Sequence, residues 1–488
     1  MPRTKARLAV ALVLGGALAA CSSAPAPADL SLGGPTATPT AGAPSAPTVP
    51  GASGAPGAAG ARGASGGTTG SVQGTTGTTG GLPTVGPGPG GSTGGVAPEV
   101  SHLFTAAEDR IGITPTTIRM CAHAALTYGA AFHTNASDLN VFWTAVNTEK
   151  GGIFGRKVDM TYENDNYDPA TAVTAAKTCM AKKIFMLLGG IGFDQIPTVR
   201  NTVEQAHQLY LYHSATVNGS AGLKYSFTEL PSVERTGQAF AQLAYEKFRG
   251  MRIGILKRDS TNWEPGVTAF KQLAKQYGLK IVGEEKAAAN AGSYVAQINN
   301  LKNVDHADVV WIWLNALEST EVVKQIKAQV WNPHLMVFPF NLTSQTLGND
   351  AMNPVMDGVA MYPAYSKGDY AGTFSSYADD MKEFEAQYAK YDSGVDLSGV
   401  AGDLLFLNWT GQKALYRQLL LCGKDCTRNR FVDVLEGYRG TPIASACPVD
   451  FTTGDHHHGS DFLTFMQTYV APDGKINWRE TRKCVGPA

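Results

Sequence analysis

Short apolar runs alternate with amphipathic segments from about residue 110 onward. An unbroken apolar run is typical of a strand covered on both faces, whereas apolar residues spaced three and four apart indicate a helix. The runs predict strands over residues 118–121, 158–162, 184–188, 209–212, 252–256, 280–284, 309–314 and 336–340. The spacings predict helices around 139–146, from 169, from about 195, and over 265–277, 294–301 and 318–330. Repeated strand–helix units predict parallel sheets with helices on both faces.

Local signals support this α/β pattern. Gly151 and Gly152 are expected to end the first helix, and Asp168 before Pro169 is a typical helix start. The series of strand–helix units divides near Pro231, which predicts two doubly wound lobes. Because ligands of such sheets bind beyond the carboxyl ends of the strands, we expect the site in a cleft between the lobes.

The first hundred residues have a different composition. Of the 55 glycines, 23 fall there, so glycine is about three times as frequent as in the rest of the chain, and from Cys21 to Val100 the chain has almost no charge and no sustained apolar run. Such a segment cannot bury enough apolar surface to offset the entropy lost on ordering. We therefore predict a disordered Gly/Pro/Ser/Thr-rich linker over residues 21–107 and a folded part over residues 108–488.

The N-terminus indicates export. Three basic residues precede an apolar stretch, residues 8–20, which is too short for a permanent membrane span. The stretch ends in Leu18-Ala19-Ala20-Cys21, which resembles the lipobox of bacterial lipoproteins. That resemblance implies a signal peptide over residues 1–20, lipidation of Cys21, and attachment to the extracytoplasmic face of the bacterial cell membrane. An ordinary signal peptide is the alternative.

Charge and motifs exclude several function classes. The chain has 40 Lys and Arg against 41 Asp and Glu, so it offers no basic stripe for nucleic acid. The sequence contains no phosphate-binding loop and no HExxH zinc motif. A nucleophile-elbow pattern, Gly63-x-Ser65-x-Gly67, lies in the linker, and the run at residues 456–458 has no accompanying His or Cys cluster. We therefore predict no catalytic residue, no metal and no cofactor.

Six cysteines remain besides Cys21. Outside the cytoplasm, six cysteines favour up to three disulfides, and several connectivities are possible. Cys422 and Cys426 would close a short loop, and Cys447 could pair with Cys484 near the C-terminus. Cys121 and Cys179 would then form the third pair.

A series of short motifs carries a family resemblance. They are Asn147-x3-Gly151-Gly152-Ile153-x-Gly155-Arg156, Asn164-Asp165 with Asp168-Pro169, Val173-x-Ala175, Leu188-Gly189-Gly190, His213-Ser214-Ala215-Thr216 and Phe451-x3-Gly454-Asp455-His456. In this order the motifs resemble those of the extracellular solute-binding proteins of ABC importers, in the branched-chain amino-acid-binding (leucine-binding-protein-like, periplasmic-binding type I) group. The resemblance covers about residues 110–480.

The resemblance implies an α/β fold of two lobes that are joined by three crossing strands and close on a small solute. Lobe I would comprise about residues 112–230 and 365–440, and lobe II about residues 231–364 and 441–488.

Transfer of the family's ligand site, position by position, implies eight residues near the solute. They are Tyr128, Gly192, Phe193, Ala215, Thr216, Trp263, Asn315 and Asn341. Asn341 lies close to where the family has an acidic residue for the ligand's ammonium group, and Asp194 and Asp259 are the carboxylates that we consider as substitutes. Because a buried ammonium needs a carboxylate partner, a neutral amide, a carboxylate or an aromatic compound stays open beside an α-amino acid.

The resulting hypothesis is a lipid-anchored receptor that delivers a small solute to the permease subunits of an ABC transporter. One alternative is a receptor that reports its ligand to a membrane signalling protein. A third possibility is an exported enzyme on the same fold, which the absence of a visible nucleophile–base set disfavours.

Overall fold

The computed structural model describes most of the chain beyond residue 102. The described residues are 103–127, 135–190, 192–212, 222–340, 342, 356–368, 370, 374–398, 400–440, 445–452, 458–471, 474 and 476–488. They all belong to one compact unit. The predicted signal peptide, Cys21 and the predicted linker as far as residue 102 lie outside these residues.

The first sheet has five parallel strands in the order β2-β1-β3-β4-β5. The strands are β1 (Thr117–Ala124), β2 (Lys157–Asn164), β3 (Met186–Leu188), β4 (Tyr210–Tyr212) and β5 (Ser226–Thr228). The helices between them are α1 (Ala136–Leu139), α2 (Val141–Glu149), α3 (Pro169–Ala181) and α4 (Gln195–Gln205). We call this sheet and the helices that pack on it lobe I.

The second sheet has seven strands in the order β14-β13-β10-β9-β8-β6-β7. The strands are β6 (Arg252–Arg258), β7 (Lys280–Ala287), β8 (Val309–Trp313), β9 (His334–Val337), β10 (Met356–Ala360), β13 (Leu463–Val470) and β14 (Ile476–Val485). Its helices are α5 (Val233–Lys247), α6 (Glu264–Gln276), α7 (Val295–Asn299), which continues as a π-helical turn, Asn300–Val304, and α8 (Ala316–Ala328). We call this half lobe II.

After β10 the chain returns to lobe I. The returning helices are α9 (Ala378–Tyr391), preceded by a 3-10 turn, Ser375–Tyr377, then α10 (Val400–Cys422) and α11 (Arg428–Glu436). Both α9 and α10 pack against α2. A small antiparallel pair, β11 (Arg439–Gly440) and β12 (Val449–Asp450), precedes β13 in the chain.

The sequence predicted the class and most strands correctly: this is an α/β fold with two sheets. All strand pairs of the first sheet are parallel, as are the pairs that join β6 to β10. One correction concerns the second sheet. Its C-terminal segment adds a hairpin in which β13 pairs antiparallel with both β10 and β14. The sequence analysis assigned no strand to this segment.

Two strands differ from the prediction for identifiable reasons. The strand predicted to end at residue 340 ends at Val337, because Pro339 has no N–H for the ladder and its carbonyl accepts a turn hydrogen bond from Leu342. The strand predicted from residue 184 begins at Met186. The carbonyls of Ile184 and Phe185 instead accept hydrogen bonds from the buried guanidinium of Arg428 in α11.

The predicted helix start at Asp168 is present. Asp168 Oδ1 accepts a hydrogen bond from Thr171 N (2.8 Å), and Pro169 occupies the first helical position of α3. The first contact satisfies the N–H of Thr171, which has no partner within the helix. Pro169, which has no N–H, stands at a position where the helix has no carbonyl to accept one.

The six cysteines lie in three pairs at disulfide distance. Cys121 in β1 is joined to Cys179 in α3, Cys422 to Cys426, and Cys447 to Cys484, with Cα–Cα distances of 5.5, 5.1 and 5.4 Å. The first pair ties an interior strand of the lobe I sheet to a helix that packs on it. Among the described helices, none combines the length and the apolar character that a membrane crossing would need.

Candidate functional site

The loop between β3 and α4 carries the main polar contact between the lobes. Asp194 stands at the N-cap position of α4, but its carboxylate makes no cap hydrogen bond. It accepts from three groups of the β6–α6 loop: Ser260 Oγ (2.5 Å), Asn262 Nδ2 (3.1 Å) and Trp263 Nε1 (3.3 Å). Arg258 Nε lies 3.6 Å from the same carboxylate. Asp194 therefore fastens lobe I to lobe II.

Phe193 makes the apolar contact beside this carboxylate. Its ring lies 4.4 Å from that of Trp263, centroid to centroid, and also contacts Trp313 and Phe338 of lobe II. Trp263 is only 3% exposed and donates through its indole to Asp194. Gly192 has φ +123°, and a Cβ there would collide with the amide of Gln195. The glycine thus permits the turn that delivers Phe193 to lobe II.

Asn315 has a different local role. It caps α8, since its Oδ1 accepts from Glu318 N (2.9 Å) and Glu318 in turn accepts from Asn315 N (3.1 Å). Its Nδ2 is buried and has no hydrogen-bond partner in the described part of the chain. Glu318 Oε2 also lies 3.5 Å from Nη1 of Arg258, so Asn315 connects to Asp194 only through two intervening side chains.

Phe193 and Trp263, two of the residues that the resemblance implies near the solute, meet across the lobe boundary. They contact each other in this structure, and their contact with a solute stays a prediction. Four further residues of that set, Tyr128, Ala215, Thr216 and Asn341, lie outside the described residues, so their roles also stay predictions.

A separate pocket lies in lobe I at the carboxyl ends of its strands. Its volume is about 690 Å³, counting the space that opens to solvent. The wall is formed by residues 122–125 at the end of β1, Leu139 of α1, Met160 and Tyr162 of β2, residues 188–190 at the end of β3, and Leu404, Leu407, Asn408, Gly411 and Gln412 of α10. The site thus sits where open α/β sheets bind ligands, with a helix as its second wall.

Leucines of α10 connect this pocket to the lobe boundary. Leu404 and Leu407 line the pocket and also belong to an apolar cluster with Phe340, which follows β9 of lobe II. Ala316 and Leu317 at the start of α8 pack against the same cluster. A change in the lobe contact would therefore act directly on one wall of the pocket.

Beneath the pocket lies a buried polar network centred on His123. Its Nδ1 lies 2.8 Å from Asp165 Oδ2, and its Nε2 lies 2.8 Å from the hydroxyl of Tyr210. Gly190 N also points at Nε2, at 3.4 Å. This arrangement fits an imidazole that donates through Nδ1 and accepts at Nε2. Burial, reinforced by Tyr212 and Asp165, raises the pKa of the Tyr210 phenol, which keeps it a donor.

Three side-chain donors on the opposite wall converge on one backbone carbonyl. Leu139 O accepts from Tyr162 Oη (2.8 Å), Asn408 Nδ2 (2.9 Å) and Gln412 Nε2 (2.8 Å). Burial raises the pKa of the Tyr162 phenol, so the hydroxyl remains protonated and donates. The sequence analysis did not identify these residues. The available signal was a pair of amides four positions apart in a largely apolar helix, which places Asn408 and Gln412 on one face.

Comparison with known proteins identifies the family of this chain. Residues 134–474 match the sequence model of a family described as periplasmic binding protein. The chain belongs to the periplasmic binding protein family. No curated protein matches the chain in sequence.

Solved structures similar to this periplasmic binding protein share its fold at low identity. A solute-binding protein of an ABC transporter from Rhodopseudomonas palustris BisB5, in complex with 3,4-dihydroxybenzoic acid, is 14% identical, with a TM-score of 0.62 over 76% of this chain and 98% of that one. A fatty acid ABC transporter substrate-binding protein from Thermomonospora curvata is 15% identical (TM-score 0.63, 77% and 94% covered). A leucine-binding protein from Thermotoga maritima is 11% identical (TM-score 0.58, 76% and 99% covered).

Proposed function

We propose that this periplasmic binding protein is a lipid-anchored extracytoplasmic receptor that binds a small solute and delivers it to an ABC permease. The observation that best supports this proposal is the pocket at the carboxyl ends of β1 and β3. One of its walls contains Leu404 and Leu407, which also pack against lobe II. A solute in this pocket would influence how the lobes pack, and a permease that recognises the closed form would then respond to loading.

Other features support the remaining parts of this proposal. The sequence Leu18-Ala19-Ala20-Cys21 supports the lipid anchor. The similar structures that are named as ABC transporter proteins support the transport role. The paired positions of six cysteines suit an oxidising compartment outside the cytoplasm.

The test begins with mass spectrometry of small molecules released from natively purified protein. Uptake of the labelled solute is then measured in cells with and without the gene, and in a Cys21→Ala strain that lacks the acceptor thiol. We expect uptake to require the gene and to fall in the Cys21→Ala strain. Unchanged uptake in the deletion strain would refute delivery to a permease. Such a result, together with a ligand-dependent change in gene expression, would identify a sensor.

A further inference from the structure

The chemistry of the lobe I pocket restricts the solute. None of the described residues that line it is Asp, Glu, Lys or Arg. His123 is the one titratable side chain besides Tyr162 among them, and both of its ring nitrogens are already engaged by Asp165 and Tyr210. An ionised group in this pocket would lose its hydration without gaining a counter-charge. The lining therefore favours an uncharged molecule.

One lining residue has an unused polar atom. Gln412 is 3% exposed, and its Oε1 is buried without a hydrogen-bond partner among the residues that the structure describes. The orientation of this amide is fixed by its neighbours. Leu139 O can only accept, so the group that faces it must be the –NH2 of Gln412, and Oε1 is directed elsewhere.

An unpartnered buried acceptor is costly, and a ligand donor would relieve that cost. The remaining wall is mostly methyl and methylene groups from alanines, leucines and Met160, which would pack against an apolar body. The described lining thus combines a mostly apolar enclosure with a buried acceptor that has no partner, Gln412 Oε1, and no Asp, Glu, Lys or Arg side chain.

The geometry points to an uncharged, mainly apolar alcohol or phenol as the ligand class, with its hydroxyl donating to Gln412 Oε1. This inference rests on the proposed function, because it names the solute of that receptor. It locates the ligand against α10 of lobe I and apart from the contact between Phe193 and Trp263.

Three probes of the same shape test the inference on the wild-type protein. 4-Ethylphenol has an apolar body and a donor, 4-ethylanisole lacks the donor, and 4-ethylbenzoate carries a charge. Isothermal titration calorimetry should show 4-ethylphenol binding at least 10-fold tighter than either of the others. Equal affinity for the phenol and the ether, tighter binding of the carboxylate, or no binding of any probe at 1 mM would overturn the inference.

A variant pair locates the binding. Gln412→Met keeps the length and the helix preference of the side chain but removes the acceptor, so 4-ethylphenol should lose about 10-fold in affinity while 4-ethylanisole is unaffected. Gln272→Met makes the same change at an exposed position of α6 in lobe II, outside the pocket, and should leave the preference for the phenol over the ether intact. A preference that survives in Gln412→Met would overturn the assignment.

The wild-type probe series keeps the inference testable if Gln412→Met does not fold. The proposed function fails separately. If the natively bound solute is charged but its uptake still requires the gene, only the ligand class is refuted. If uptake of the bound solute does not depend on the gene, delivery to a permease is refuted.

Discussion

At the residue scale, Glu229 is a buried carboxyl where the chain leaves lobe I. It directly follows β5, is 1% exposed, and accepts a hydrogen bond from Gln418 Nε2 of α10. Burial raises its pKa from 4.5 to about 7, and the nearby positive charge of Arg417 only partly offsets this rise. Two buried phenols, Tyr377 and Tyr438, interact with the same carboxyl.

This raised pKa predicts a pH-dependent stability. Between pH 4.5 and about 7 the folded protein retains the Glu229 proton that the unfolded chain releases. The free energy of unfolding should therefore be highest below pH 4.5 for this group and fall as the pH rises through that window, by roughly 3 kcal/mol at most.

Chemical denaturation at several pH values measures this effect. Glu229→Gln should lose this pH-dependent contribution. The difference in unfolding free energy between the variant and the wild type should therefore change between pH 4.5 and about 7. Glu321→Gln, at an exposed position of α8, is the matched control and should follow the wild-type profile. A Glu229→Gln profile parallel to that of the wild type would contradict the prediction.

At the element scale, the sequence predicted those strands and helix ends that are determined by residues close to them in the chain. The strands β1 to β4 and the start of α3 follow from apolar runs and from the Asp168-Pro169 cap, which are determined within a few positions. The wall that α10 provides could not be predicted in this way. Leu139 O and Gln412 Nε2 are 273 positions apart, and no periodicity within either segment specifies that they meet.

The disulfides allow a test of how two elements are held together. Cys121–Cys179 spans 58 positions and links β1 to α3, whereas Cys422–Cys426 spans 4. All four cysteines are buried. Because cross-linking removes more unfolded-state entropy from a longer loop, the first disulfide should contribute about 4 kcal/mol and the second about 2 kcal/mol.

Thermal and urea denaturation of two double variants check this difference. Cys121→Ala/Cys179→Ala should lose about twice as much unfolding free energy as Cys422→Ala/Cys426→Ala, which serves as the control for the loss of buried sulfur. Equal losses would show that packing, and not loop closure, determines the effect.

At the scale of the whole molecule, direct side-chain contacts hold the two lobes together. Asp194 accepts from three groups of lobe II, and Phe193 packs against Trp263. Removal of a charged acceptor that serves several donors should weaken this contact by about 2 kcal/mol, which is roughly a 30-fold shift toward separated lobes.

Small-angle X-ray scattering of Asp194→Ala should accordingly give a larger radius of gyration than that of the wild type. Asp259→Ala is the control, since Asp259 lies in the same β6–α6 loop but pairs with Lys286 within lobe II. An unchanged radius in Asp194→Ala would mean that the apolar contacts alone keep the lobes together.

The late return of α10 to lobe I has a consequence for the nascent chain. Ala124 at the end of β1 and Leu404 of α10 are 280 positions apart. At typical elongation speeds the ribosome needs roughly 15 to 60 s to bridge that interval. Once β5 has been made, at Thr228, all five strands of the first sheet are present, but the helix that forms one wall of its pocket is not yet synthesised. Lobe I therefore cannot complete its folding before β6 to β10 of lobe II have been translated, and lobe II must wait for the hairpin of β13 and β14 at the end of the chain.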